Sequence, residues 1–144
     1  MDLSQPLVAL CGAVPTAIGA VLCDFEGETV VSALGPVPPP PEAAARAKDH
    51  VPKALALTMP VGEFLVRLGG AEPCALLRLF GDRGRARGAG ELRTLCLRYA
   101  AIELLIQRLP NDFYLVLVLS RPAVRAVAER HLLAAAAQLA EHVA

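Results

Sequence analysis

The 144-residue chain balances 14 basic against 14 acidic side chains, so no net field draws it to nucleic acid or to an anionic membrane surface. With 55% of residues apolar and 19% charged, it has the composition of one folded domain over 1–144 and not of a disordered chain. Cys11, Cys23, Cys74 and Cys96 are widely spaced, without a CxxC pair or a histidine at zinc-finger spacing, and read as reduced thiols of a cytoplasmic protein.

Leu7, Leu10, Cys11 and Val14 recur at helical spacing, with Ser4 as a cap and Pro6 in the first turn, which predicts a short first helix ended by Pro15. The uncharged run Leu7 to Cys23 is too short and too interrupted by Gly12, Pro15 and Gly19 for a membrane span. No basic residue precedes it, as a signal peptide would require. Its second half, Ala17 to Cys23, is followed by the turn Asp24-Phe25-Glu26-Gly27 and by Glu28 to Leu34, the pattern of a β-hairpin. Gly35 to Pro41 holds five prolines and reads as a semi-rigid extended connector; a PxxP ligand over Pro38 to Pro41 is the lesser alternative.

Pro41 to Asp49 is rich in helix formers, and Pro52 and Pro60 are expected to break the helix beyond Asp49. Val61, Phe64, Leu65 and Leu68 form one apolar stripe and Pro73, Leu76, Leu77 and Phe80 another, with Gly69-Gly70 between them. That pattern predicts a bent or split second helical region. Gly81 to Gly90, with four glycines and three arginines, reads as a mobile surface loop. It lacks the lysine of a phosphate-binding loop and leads into a strand pattern, which excludes nucleotide binding there.

From Glu91 the period becomes alternating. Leu95, Leu97 and Tyr99 oppose Thr94, Cys96 and Arg98, and Ile102, Leu104 and Ile106 oppose Glu103, Leu105 and Gln107, giving two strands that turn near Ala100-Ala101. Phe113 to Leu119, apolar throughout after the Pro110-Asn111-Asp112 turn, is expected mid-sheet. Ser120 and Pro122 open a long last helix with Leu132, Ala136, Leu139 and Val143 as its buried stripe. The sum is an α+β fold in the order α-β-β-α-β-β-β-α, a five-stranded antiparallel sheet with helices on both faces.

Catalytic chemistry leaves no trace in this pattern. His50, His131 and His142 are isolated, Asp24, Glu26, Asn111 and Asp112 serve turns, and GxSxG, HExxH and GxGxxG are absent. No catalytic residue, metal ligand or cofactor is therefore expected.

The hairpin AIGAVLCDFEGETVVSALG, the Asn111-Asp112 turn into an all-apolar strand and the closing segment LPNDFYLVLVLSRPAVRAVAERHLLAAAAQLAEHV resemble the Roadblock / dynein light-chain family, in particular its bacterial MglB- and MglC-like members. The prolines and the arginine-rich segment in the middle of the chain depart from a compact member. The resemblance implies a homodimer whose sheet continues across a two-fold axis, and binding of a small Ras-like GTPase or of another Roadblock protein. It places the contacts at the second helix and third strand, hence at Thr94, Leu95, Cys96, Leu97 and Arg98, with Phe64, Leu65 and Leu68 as helix contacts unless they face the core. Arg83, Arg85 and Arg87 are candidates for an acidic partner surface, against the plainer reading of a solvated basic loop. An adaptor without GTPase contact, and an enzyme or small-ligand sensor with Tyr99 or Cys96 lining a pocket, are the competing expectations.

Overall fold

A computed structural model describes residues 2–41, 45 and 61–144, and within 61–75 only the side chains of Val66, Arg67 and Pro73. The chain runs through α1 (Ser4–Ala13), β1 (Ala17–Cys23), β2 (Thr29–Leu34), α2 (Val61–Ala86), β3 (Thr94–Arg98), β4 (Ile102–Arg108), β5 (Tyr114–Ser120) and α3 (Arg125–Val143). All strand pairs are antiparallel, in the sheet order β2-β1-β5-β4-β3. The α+β class and the element order match the sequence expectation.

The first helix buries Leu7, Leu10 and Cys11, and Val14, the residue just past its end, completes the buried stripe that the periodicity predicts. Its free amide end is served by Asp2 rather than by Ser4: the Asp2 carboxylate accepts from the Ser4 hydroxyl at 2.6 Å and the Ser4 amide at 2.9 Å. These bonds hold the Asp2 carboxyl below its ordinary range. At the β1–β2 turn, Asp24 accepts from the amides of Glu26 and Glu28 while Gly27 takes φ 85°, a conformation that costs glycine nothing.

Every residue of β1 is buried, and β5 is buried from Tyr114 to Leu119, because these central strands are covered on both faces. On one face α1 and α3 pack over Leu22, Leu105, Leu115 and Leu117. On the other, α2 lies over β1, β2 and β5 with Val66 and Leu77 against Ile18, Val21, Val116 and Val118. Burying each such side chain is worth about 1.5–3 kcal/mol against leaving it exposed. Gly19 lets α2 seat closely, since a Cβ there would stand 2.5 Å from Val66 Cγ2.

Three expectations are corrected. The second helical region is one helix of 26 residues, continuous past Gly69-Gly70 and Pro73 and onward to Ala86, so most of the expected Gly81 to Gly90 loop is helical. The reason lies at its end: Gly88 N–H bonds the Arg85 carbonyl, Ala89 N–H bonds the Gly84 carbonyl, and Gly88 has φ 75°. This Schellman termination uses Gly88 as the stop signal, leaving the earlier glycines inside the helix. The third strand starts at Thr94 and not Glu91, because Gly90, at φ 85°, redirects the chain after the helix. The last helix starts at Arg125 and not near Ser120. Ser120 stays in β5, paired with Ile102 and donating its amide to the Thr16 carbonyl.

Pro36 to Pro40 carry neither helix nor strand, although Val37 N–H still bonds the Ala17 carbonyl beside β1. The expected helix over Pro41 to Asp49, apart from Pro41 and Ala45, and the breaks at Pro52 and Pro60 lie outside the described residues.

Candidate functional site

Strand β3 is one edge of the sheet, hydrogen-bonded on one side to β4 and, among the described residues, unpaired on the other. Its side chains alternate as the sequence predicts. Leu95 and Leu97 turn to the α2 face and Cys96 to the opposite face, all three half-buried, while Thr94 and Arg98 are exposed at the strand ends. Because α2 lies over β1, β2 and β5, Leu95, Leu97 and Ile102 keep part of their apolar surface in solvent. An open backbone edge beside half-covered leucines is a template for another strand and another helix.

Behind this edge lies a carboxylate that sequence reasoning assigned only to a strand face. Glu103 is fully buried on the Cys96 side of the sheet. The Cys96 thiol donates to its Oε1 at 3.2 Å and Arg98 Nε lies 3.5 Å from the same oxygen, while Oε2 has no hydrogen-bond partner. Burial and the bond to Glu103 push the Cys96 thiol up from its ordinary value, so it is a poor nucleophile.

Along α2, Pro73, Leu77 and Gly81 are buried, whereas Leu76, Leu79 and Phe80 are 40–46% exposed. These three are at helical spacing on a face that no described part of the chain covers, an apolar flank of the kind that marks an interface. Phe64, Leu65 and Leu68 belong to the same helix, with side chains outside the described residues. Arg83 and Arg87 are exposed near the helix end, and Arg85 lines a cavity beside it.

That cavity, about 280 Å³, opens between the C-terminal half of α2, the β1–β2 turn and the ends of β4 and β5. Three arginines converge there. Arg85 binds Asp82 at 2.6 Å, which raises the Arg85 pKa above its ordinary value, and the Arg108 guanidinium pairs with Asp112. Arg78 stacks on the Phe25 ring, 5.7 Å from its centroid. Glu91, from the connector between α2 and β3, stands 3.6 Å from Arg108 and 3.9 Å from Arg85. Arg78 and Arg108 had no signal in the sequence, since each is a lone arginine on an element of ordinary pattern.

Among the described residues no group of three or more His, Cys, Asp or Glu side chains could hold a metal, and no helix is long and apolar enough to cross a membrane. Tyr99 is exposed at the β3–β4 turn, where its carbonyl accepts from Arg121, and neither it nor Cys96 lines the arginine cavity. Among the described residues the arrangement offers surfaces for protein contact and brings no acid, base and nucleophile together.

No family model and no curated protein matches the chain. Solved structures do, over its whole length. A Roadblock/LC7 domain from Streptomyces avermitilis superposes with a TM-score of 0.71 at 15% identity, covering 99% of this chain and 98% of that one. The gliding protein MglB from Thermus thermophilus gives 0.69 at 14% identity, covering 98% and 87%. MglC from Myxococcus xanthus gives 0.62 at 13% identity, covering 99% of each. The fold is therefore the Roadblock fold, as the hairpin and closing segment implied.

Proposed function

We propose that this chain is a non-enzymatic, cytoplasmic Roadblock-type homodimer that regulates or scaffolds a small Ras-like GTPase. The observation that carries the reading is the open β3 edge, with half-covered Leu95 and Leu97, on a fold shared with MglB and MglC. The dimer joins two β3 strands through Thr94 to Arg98. The apolar flank of α2, Leu76, Leu79 and Phe80, supplies helix contacts in addition to Phe64, Leu65 and Leu68. A stable pair needs about 800 Å² buried per protomer, more than a five-residue edge provides alone, so a helix must contribute.

Light scattering at tens of micromolar should give twice the 15.1 kDa chain mass. Phe80→Glu, at an exposed position, should shift the protein to monomer while its circular dichroism is kept. A wild-type monomer under those conditions removes the homodimer. For the GTPase role, the measurement is complex formation and GTP hydrolysis with the Ras-like GTPase of the same genome. No complex and no rate change in either nucleotide state removes it. Edge pairing uses backbone groups and is indifferent to whether the added strand comes from an identical chain. An adaptor role toward a second Roadblock protein therefore uses the same surface, and pulldown of that paralogue irrespective of nucleotide would select it.

A further inference from the structure

The arginine cavity lies away from the β3 edge strand, and its charges are balanced in an unusual way. Arg78, Arg85 and Arg108 line it together with Asp82 and Asp112, and a third carboxylate, that of Glu91, approaches Arg85 and Arg108 from outside the lining. Glu91 is 59% exposed and reaches its arginines only at 3.6 and 3.9 Å, while both of them have a closer aspartate. Among the described residues Arg78 meets the Phe25 ring and no carboxylate. The lining itself, three arginines against two aspartates, is left with one positive charge in excess, which Glu91 offsets from outside it.

We propose that this cavity docks an acidic segment of a partner protein, whose carboxylate displaces Glu91 from Arg85 and Arg108 while Arg78 and Phe25 hold the neighbouring side chain. The fold already sets a carboxylate, Glu91, loosely against two of the cavity's arginines, which shows the chemistry that they attract. Loose, exposed ion pairs are worth little each, so exchanging one carboxylate for another is energetically easy. The volume, about 280 Å³, lies below the range of drug-sized ligand sites and suits one or two side chains. Phe25, 53% exposed, and Arg78 beside it pair an apolar surface with a cation, a combination enriched among residues that anchor interfaces.

The test uses the purified chain alone and is therefore independent of any GTPase. Fluorescence anisotropy with a fluorescein-labelled hexaglutamate peptide should show saturable binding that weakens with added salt, and a hexaglutamine peptide should not bind. Glu91→Gln should tighten hexaglutamate about threefold, because the internal competitor loses its charge, and Arg78→Gln should weaken it by a similar factor. Thermal melts confirm that the variants are folded. Equal binding of the two peptides overturns the proposal, as does a Glu91→Gln variant that binds no tighter than the wild-type chain. Binding of inorganic phosphate without hexaglutamate overturns it too, identifying a phosphate site instead.

Discussion

Gly19→Ala adds one methyl group at the point where α2 meets the sheet. The new Cβ would stand 2.5 Å from Val66 Cγ2, 3.4 Å from Val66 Cγ1 and 2.7 Å from the Ala33 carbonyl oxygen. Favourable carbon contacts lie near 3.5–4.0 Å, so about 1 Å of movement is required. Val66 is fully buried and β-branched, which fixes its rotamer in a helix, and the Ala33 oxygen belongs to the β1–β2 ladder. Overpacking of this kind costs about 1–3 kcal/mol. At this size that corresponds to a fall in Tm of roughly 3–10 °C. Thermal and urea melts followed by circular dichroism measure it. Adding Val66→Ala removes the nearer clash but not that with Ala33, so the double variant should be less destabilised than the sum of the singles by about 1 kcal/mol. Strict additivity, or a Gly19→Ala protein as stable as wild type, would refute the argument that α2 depends on this close approach.

Gly12, inside α1, presents the opposite case: a Cβ there meets nothing within 4 Å, so Gly12→Ala should stabilise by about 0.5–1 kcal/mol in urea titrations. Glu103→Leu should be neutral or raise the urea midpoint by the equivalent of about 1 kcal/mol, because it removes a buried carboxylate with an orphaned oxygen and leaves an Arg98 already 55% exposed; a loss above about 2 kcal/mol would contradict this. The Cys11 thiol is 2% exposed, and burial pushes its pKa from 9.0 to about 11. Because the folded value is the higher one, this contribution to stability is complete below pH 9 and is lost as pH rises toward 11, a decline that Cys11→Ala should flatten in melts across that range. Iodoacetamide at pH 8, read by peptide mass spectrometry, should leave Cys11 unmodified until the chain is unfolded.

Much of the sheet is legible in the sequence because period and polarity agree there. The unbroken apolar run before Ser120 fixed β5 as a covered strand, the Asp24 to Gly27 turn fixed the first hairpin, and Leu132, Ala136, Leu139 and Val143 are all buried as their spacing requires. The middle was harder to read because glycine has two meanings. Gly81 and Gly84 continue a helix whose stop signal is Gly88, and composition alone does not separate an internal glycine from a terminal one. The stripe Pro73, Leu76, Leu77, Phe80 looked like one face, yet Pro73 and Leu77 are buried while Leu76 and Phe80 flank them in solvent. A sequence gives the spacing of such a stripe but not its rotational setting on the sheet. The arginine cavity depends on the approach of α2, β4 and two turns, contacts between distant segments that no local pattern encodes.

The sheet order has a consequence for how the chain is made. Its central strands pair β1 with β5, with Ala17 opposite Leu119, about a hundred residues apart. At synthesis rates of roughly 5–20 residues per second, β1 leaves the ribosome about 5–20 s before its second neighbour. Until then the β1–β2 hairpin carries a strand whose every residue is buried in the finished protein. The β3–β4–β5 meander, by contrast, pairs along nearest neighbours and can assemble as soon as it emerges. The hairpin thus waits on the last third of the chain for β5, the strand that pairs with the open edge of β1, while α1 and α2 cover its faces.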